Sequence, residues 1–158
     1  MTGTKRKEAL RAELLEALNV VLTNARKAHQ SAVEGATHGE ARQENDKDTR
    51  GLEQSYVARG QALRIAALEA ELTDVRAMTL AEKPKVGPGS LVTVEEDGAV
   101  RCYFIAPHGG GITLERGKVV VVTPRSPLGN ALIGKEVGDE CEVVLQGAKR
   151  LLELTKVG

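Results

Sequence analysis

The chain has 158 residues, with 22 basic and 22 acidic side chains and only 2% aromatic residues. A net charge of zero excludes the basic surface typical of proteins that bind DNA through its phosphates, so no sequence-specific DNA binding is expected. The low aromatic content favours two small units over one large core. No apolar segment approaches the roughly 20 residues that span a bilayer, which predicts a cytoplasmic protein without membrane contact.

The first predicted element is a long helix from Lys5 to Glu34, a stretch without proline or glycine. Its apolar residues recur at steps of three and four, which places them in one stripe on a helix. The members of this stripe are Leu14, Leu18, Val21, Leu22, Ala25, Ala28 and Ala32. Such a helix is ~45 Å long at 1.5 Å per residue, and it needs a partner along its length.

A polar, acid-rich stretch at residues 35–50 interrupts this pattern. Gly35 and Gly39 are natural positions for a left-handed helix cap, so the chain is expected to reverse there. Six acidic residues against three basic ones lie between residues 34 and 53, which makes this predicted tip acidic.

A second helix is expected to begin between Glu40 and Asp48 and to run to about Met78. Its predicted apolar face consists of Leu52, Tyr56, Leu63, Ile65, Leu68, Leu72 and Val75. Gly51 and Gly60 lie inside this helix, where each either weakens the helix or permits a close contact. The two helices together predict an antiparallel hairpin.

Prolines and glycines at residues 83–89 cannot continue a helix and predict a linker after a hairpin of residues 1–82. Residues 90–158 favour short strands separated by turns, with one capped helix. The predicted elements are strands at Ser90–Glu95, Ala99–Ile105, Val119–Thr123, Glu140–Leu145 and Arg150–Lys156, a turn at Asp97-Gly98, and a helix from Pro127 to Ile133 capped by Ser126. The fold class is therefore α+β, with a helical hairpin (a coiled coil) before a small β-rich domain.

Four acids of the tip could act as hard oxygen ligands for a divalent cation, namely Glu40, Glu44, Asp46 and Asp48. If the second helix has begun by Glu44, then Glu44 and Asp48 stand four residues apart on one helix face. Two carboxylates alone hold Mg²⁺ weakly and become useful when a second molecule adds ligands, as in two-metal phosphoryl chemistry. The alternative is that these acids only solvate the turn and interact with the positive end of the second helix dipole.

Other residues offer less chemistry. His108 precedes three glycines, but neither a dinucleotide fingerprint nor a P-loop spacing is present, so a plain loop is expected. Ser126 has no predicted His or acidic neighbour and is expected to cap a helix. Cys102 and Cys141 lack metal-ligand spacing and are predicted to be buried, reduced thiols. The chain is thus predicted to have no catalytic group, intrinsic cofactor or stable metal site of its own.

The segment from Ser126 to Asp139, SPLGNALIGKEVGD, closely resembles the S-P-x-x-x-x-L-[IL]-G-K-x-x-x-D signature of the GreA/GreB transcription elongation factors. Residues 64–72, RIAALEAEL, are similar to the R-I-x-x-L-E-x-x-L stretch of the same family. The resemblance extends over nearly the whole chain and implies a bacterial protein with an FKBP-like second domain. It also implies a set of polymerase-docking residues, namely Ser126, Pro127, Leu128, Gly134, Lys135 and Asp139.

The family resemblance implies that the hairpin enters the secondary channel of bacterial RNA polymerase. Tip acids of the family help to hold a catalytic Mg²⁺ there, so that backtracked RNA is hydrolysed near its 3′ end. Mg²⁺ shared with the polymerase is thus the one cofactor implied, and the RNA 3′ end is an indirect partner. Residues 38–45 resemble the family tip H-G-D-x-x-E-N with one extra residue, which assigns the two acidic places to Glu40 and Glu44. Residues 46–56 depart from the family and resemble an Asn-Lys-x-Asp-Thr variant of Gre-like proteins.

Three functions remain open from the sequence. The first is a factor that stimulates RNA cleavage through the tip acids. The second is a regulator that occupies the same channel without supplying a metal site, because Lys47 falls on an acidic place when the tip is aligned without gaps. The third is a free-standing FKBP-like binding or prolyl-isomerase module, which the shortage of aromatic residues disfavours because only Tyr103 and Phe104 could wall its pocket.

Overall fold

Two long helices make up the first half of the chain. The computed structural model describes the backbone of residues 3–41 and 48–158, and the side chains of residues 3–35, 52–53 and 55–158. Helix α1 spans Gly3–Ala41 and helix α2 spans Asp48–Ala77, so the predicted start of α2 is confirmed. The reversal predicted at Gly35 and Gly39 is wrong, because α1 continues through both. A glycine inside a helix costs only about 1 kcal/mol, which neighbouring alanine and glutamate residues can offset.

The chain divides into two compact units. We call residues 18–72 the hairpin unit, and residues 1–17 together with 73–158 the sheet unit. No described helix contains an apolar segment long enough to cross a membrane.

In the hairpin unit, α1 and α2 pack along a narrow antiparallel seam. Buried leucines form its well-packed part, namely Leu18, Leu22, Leu68 and Leu72. The guanidinium Nη2 of Arg26 lies 2.9 Å from the Glu69 carboxylate Oε1 at the edge of this seam. Both residues are about half exposed, so the ion pair adds little stability beyond the leucine contacts.

The predicted apolar stripes are confirmed at these leucines. They are wrong at Val21 of α1, which is 41% exposed, and toward the other end of the hairpin unit. There the large apolar side chains point to solvent, with exposed fractions of 54% for Leu52, 57% for Tyr56 and 69% for Leu63. Alternating steps of three and four back from Leu68 lead instead to Ile65, Gln61 and Ala58. The seam therefore continues through Ile65 to the polar Gln61 and the small Ala58, and the alanine allows closer helix contact than tyrosine or leucine would.

Replacing Gly60 by alanine should raise the free energy of unfolding of the hairpin unit by about 1 kcal/mol. A Cβ atom added at Gly60 would meet nothing within 4 Å, so this glycine weakens the helix and makes no close contact. Far-UV circular dichroism during thermal unfolding would measure the gain. The matched control is Gly98→Ala, which also faces open space but has a φ of +81° and should lose stability.

The described part of the sheet unit contains a six-stranded sheet. Its strands are β1 (Leu91–Glu96), β2 (Ala99–Ile105), β3 (Thr113–Leu114), β4 (Val119–Val122), β5 (Glu140–Leu145) and β6 (Ala148–Val157), in the order β3-β4-β2-β1-β6-β5. Strands β2 and β4 pair in parallel, with Cys102 opposite Val119, and the other pairs are antiparallel. The predicted Asp97-Gly98 turn is confirmed, because φ is +50° and +81° at these residues, as a tight hairpin turn requires. The two-residue strand β3 was not predicted.

The core of the sheet unit lies between one face of the sheet and helix α3, which spans Pro127–Leu132. Leu132 is completely buried there against side chains that alternate along the strands, such as Val92, Ile105 and Leu152. Val86, which belongs to the stretch predicted as a linker, is also part of this core and is only 3% exposed.

Side chains from the beginning of α1 bind to the rest of the sheet unit. Arg11 Nη1 donates a hydrogen bond of 2.7 Å to the Met78 carbonyl oxygen. The backbone N–H of Glu115, just after β3, donates to the Glu13 carboxylate at 3.1 Å. These contacts attach the first turns of α1 to the segment after α2 and to the turn between β3 and β4.

Candidate functional site

The segment from Ser126 to Asp139 begins with a capped helix. Ser126 has extended backbone angles, and its Oγ accepts a hydrogen bond of 3.0 Å from the Gly129 N–H. The same hydroxyl donates to the Thr123 carbonyl oxygen at 2.8 Å. Pro127 occupies the first helical turn, where its missing N–H is not needed. The cap predicted at Ser126 is confirmed, and its hydrogen bonds are all internal to the protein.

Gly129 is a residue of this segment whose role was not predicted from the sequence. A Cβ atom at this position would lie 1.8 Å from the Thr123 carbonyl oxygen and 2.7 Å from its carbonyl carbon. Only glycine therefore allows helix α3 to approach the end of β4 this closely. The available signal was a glycine in the first turn of a predicted helix, where helix propensity alone would favour alanine.

The second half of the segment is fixed by backbone hydrogen bonds. Gly134 N–H donates to the Val86 carbonyl oxygen, and Val86 N–H donates to the Lys135 carbonyl oxygen, both at 2.9 Å. The Asp139 carboxylate accepts a hydrogen bond of 2.8 Å from the Glu136 N–H. These bonds attach the loop to the segment before β1 through Val86, and the Asp139 carboxylate holds the loop to its own backbone.

Two apolar side chains project from the loop, and neither is among the docking residues predicted from the sequence. Val137 is 58% exposed and Ile133 is 37% exposed. Pro127 is also exposed, whereas Leu128 packs against the core. We call Pro127, Ile133 and Val137 the apolar rim of the segment. Exposed apolar side chains on a rigid, hydrogen-bonded loop are typical of a protein-binding surface.

The four predicted tip acids are not described at the level of side chains. Glu44 and Asp46 lie within residues 42–47, outside the described residues, and the side chains of Glu40 and Asp48 are likewise outside them. Helix α2 begins at Asp48, so a helical pairing of Asp48 with Glu44 stays a prediction. Across the residues that are described, no group of three or more His, Cys, Asp or Glu side chains could hold a metal ion.

The other residues considered for a chemical role are two aromatic residues, His108 and the two cysteines. Phe104 is completely buried and Tyr103 is 6% exposed, so they do not form an open aromatic pocket. His108 Nε2 lies 2.7 Å from Asp74 Oδ2. Cys141 is buried, as predicted, and burial raises the pKa of its thiol, although the charge of Lys135 acts in the opposite direction. Cys102 is partly exposed, so the prediction of a buried thiol is wrong there.

Lys7 of α1 is an unusual buried cation. Its side chain is 1% exposed, and its Nζ has a long hydrogen bond of 3.5 Å to the Ala81 carbonyl oxygen. Burial lowers the pKa of Lys7 below its ordinary value of 10.5, the nearby Lys83 acts in the same direction, and Glu82 opposes both. Keeping this ammonium charged in the folded protein therefore costs free energy.

Replacing Lys7 by methionine should raise the free energy of unfolding by about 1 kcal/mol at pH 7. Because the pKa of Lys7 is lower in the folded chain, the unfolded chain binds the proton more tightly. Wild-type stability should then rise with pH through the interval below 10.5, and the advantage of the variant should shrink over the same interval. Urea unfolding at several pH values measures this difference. Lys27→Met, at an exposed position of α1, should show no such pH-dependent gain.

A helical hairpin followed in the chain by a small β-rich domain with the Ser126–Asp139 segment has the element order and the local motif of a Gre-type transcription elongation factor. Residues 81–158 match the family described as "Transcription elongation factor, GreA/GreB, C-term". The C-terminal domain of the chain belongs to the GreA/GreB family. Its general role is therefore in transcription elongation, with RNA polymerase as the kind of partner.

Similar solved structures include GreA factor homolog 1 (Gfh1) of Thermus thermophilus, at 20% identity over 91% of this chain and 94% of that one, with a TM-score of 0.40. Thermus aquaticus Gfh1 is 22% identical over 90% of this chain and 92% of that one, with a TM-score of 0.40. The GreA/GreB factor of Nitrosomonas europaea is 24% identical over 59% of this chain and 77% of that one, with a TM-score of 0.37. A comparison with curated proteins gave no match. All three TM-scores are below 0.5, so the family assignment depends on the C-terminal match.

Proposed function

We propose that this protein binds RNA polymerase at its secondary channel and stimulates cleavage of backtracked RNA. The observation that carries the proposal is the family match over residues 81–158, which includes the whole Ser126–Asp139 segment. In this proposal the apolar rim of that segment contacts the polymerase, while the hairpin delivers residues 35–50 toward the polymerase active site. The protein then has no catalytic group of its own and acts as an accessory factor.

The surface of the hairpin unit supports contact with a large partner. Leu52, Tyr56 and Leu63 lie on one face of α2, and each exposes more than half of its side chain. The Arg59 guanidinium lies over the Tyr56 ring, 5.7 Å from its centroid, so this face combines apolar area with positive charge. These large apolar side chains lie outside the seam, and their exposure is explained if a polymerase channel covers them.

The proposed chemistry requires carboxylates from the tip and ligands from the polymerase. Glu40, Glu44, Asp46 and Asp48 offer hard oxygen atoms, and two such groups complete the coordination of Mg²⁺ only when a second molecule adds the rest. A second metal ion in the polymerase would orient and activate the water that attacks the RNA phosphodiester. The tip acids would thus change the polymerase from synthesis to hydrolysis.

RNA cleavage by stalled, backtracked polymerase tests this function. Wild-type protein with Mg²⁺ should shorten the RNA from its 3′ end, and Glu44→Ala or Asp48→Ala should slow cleavage roughly 10-fold to 100-fold. Glu53→Ala removes an exposed acid outside the proposed quartet and should leave the rate unchanged. Absence of shortening at saturating protein would refute cleavage stimulation.

A channel-binding regulator without cleavage activity is the second candidate. It is favoured by Lys47, which falls on one of the two acidic places of the family tip in an ungapped comparison. A lysine there would repel Mg²⁺ rather than bind it. This candidate predicts that the protein competes with an authentic cleavage factor for the polymerase while the RNA length stays constant.

A further inference from the structure

A cavity of about 430 Å³ lies within the sheet unit and is lined by three cationic side chains, Arg6, Arg101 and Lys118. Its walls are completed mainly by Val100, Cys102 and Val120. None of the described residues that line it is Asp or Glu. The chain as a whole has equal numbers of basic and acidic residues, so this cavity departs from the average charge of the protein.

The strand register explains why two of these cations are neighbours. Parallel pairing of β2 with β4 begins with Cys102 opposite Val119, so Arg101 and Lys118 immediately precede the first paired residues. Strand β2 starts at Ala99, and its first residues therefore extend past the beginning of β4. The side chains of Arg101 and Lys118 are both exposed beside this unpaired end of β2. Like charges on adjacent strands repel each other, and a bound anion would remove the repulsion.

Arg6 adds a third cation in a fixed orientation. Its Nε lies 3.0 and 3.2 Å from the two Glu115 carboxylate oxygens, and its Nη2 lies 3.0 Å from Oε2. This pair uses one edge of the guanidinium group, which has five N–H donors. The hydrogen bonds to Glu115 raise the pKa of Arg6 further, so its charge is permanent. The three cationic side chains that line the cavity and the Glu115 carboxylate bound to Arg6 together carry an excess of two positive charges.

The turn that carries Lys118 is also held in place. Residues 115, 116 and 117 all have positive φ, at 50°, 58° and 88°. Hydrogen bonds from Gly117 N–H to Leu114 O at 3.1 Å and from Lys118 N–H to Glu115 O at 3.3 Å close this left-handed turn. Left-handed backbone at two non-glycine residues persists only where the surroundings hold it, as Arg6 and Glu13 hold Glu115 here. The backbone that carries Lys118 is therefore held in place before any ligand arrives.

We propose that this cavity binds a small ligand that bears a diphosphate group. An excess of two positive charges matches an anion with several charges better than a single carboxylate. A guanidinium fork and a lysine ammonium are the groups that proteins use most for phosphate oxygens. A diphosphate concentrates its charges in one cavity, whereas a nucleic-acid backbone carries one charge per nucleotide along an extended chain. The proposal is independent of polymerase binding.

Isothermal titration calorimetry of the full chain with sodium pyrophosphate tests the proposal. Arg101→Gln and Lys118→Gln should each weaken binding roughly 10-fold or more, because each removes a charge-assisted contact with phosphate. Lys149→Gln is the matched control, since Lys149 is an exposed lysine of the same sheet, bound to Glu142 and outside the cavity. The affinity of the Lys149→Gln variant for pyrophosphate should equal that of the wild type.

Two further results would overturn the proposal. One is the absence of binding heat with pyrophosphate, or an equal loss of affinity in all three variants. The other is tighter binding of a single-stranded RNA oligonucleotide than of pyrophosphate through Arg101 and Lys118, which would identify nucleic acid as the source of the phosphate. Circular dichroism of each variant would verify that the exposed substitutions leave the fold intact.

Discussion

Replacing Gly129 by alanine should destabilise the sheet unit by about 3 kcal/mol or more. The new methyl group would lie 1.8 Å from the Thr123 carbonyl oxygen, far inside van der Waals contact. That oxygen cannot move freely, because it accepts hydrogen bonds from Ser126 N–H at 3.1 Å and Ser126 Oγ at 2.8 Å. Helix α3 would have to shift. That shift would break its N-terminal cap and expose Leu132, which is completely buried in the core.

Amide hydrogen exchange of strands β2 and β6 would measure this loss in the sheet unit separately from the hairpin unit. Gly134→Ala is the control, because its φ of +81° imposes strain but no atom lies within 4 Å of the new methyl group. It should cost only about 1 to 2 kcal/mol. Equal protection in Gly129→Ala and the wild type would contradict the close approach of α3 to Thr123.

A single charge on the apolar rim should have the largest effect on partner binding. Val137→Asp is expected to weaken binding to core RNA polymerase roughly 10-fold or more, because a carboxylate would have to be desolvated in an apolar contact. The residue is 58% exposed in the free protein, so the fold should tolerate the change. Fluorescence anisotropy of labelled protein titrated with core polymerase measures the affinity.

Val144→Asp is a closely matched control for this experiment. Val144 lies on strand β5, is 60% exposed, and undergoes the same change in charge and size. It should bind the polymerase like the wild type, which separates local contact from a general effect of net charge. Equal weakening in both variants, or in neither, would exclude the apolar rim as the docking surface.

Local sequence patterns predicted those elements that form through interactions between residues close together in the chain. Ser126 followed by Pro127 indicates a helix start because the cap hydrogen bond spans only three residues. Asp97-Gly98 indicates a hairpin turn because such a turn depends on the φ angles of only two neighbouring residues. The signature over residues 126–139 gave the family for the same reason, since an unbroken local pattern can be recognised without knowledge of the fold.

Tertiary structure alone decided which side chains of those elements are available to a partner. Apolar periodicity cannot distinguish the seam of α2 from its neighbouring face, and so Tyr56 and Leu63 were predicted to be buried although both are exposed. The cationic cavity likewise requires the parallel pairing of β2 with β4, which brings Arg101 next to Lys118. The sequence by itself determined the α+β class, the capped segment and the family. Burial and long-range pairing depend on residues far apart in the chain, so only the folded structure revealed the apolar rim and the cavity.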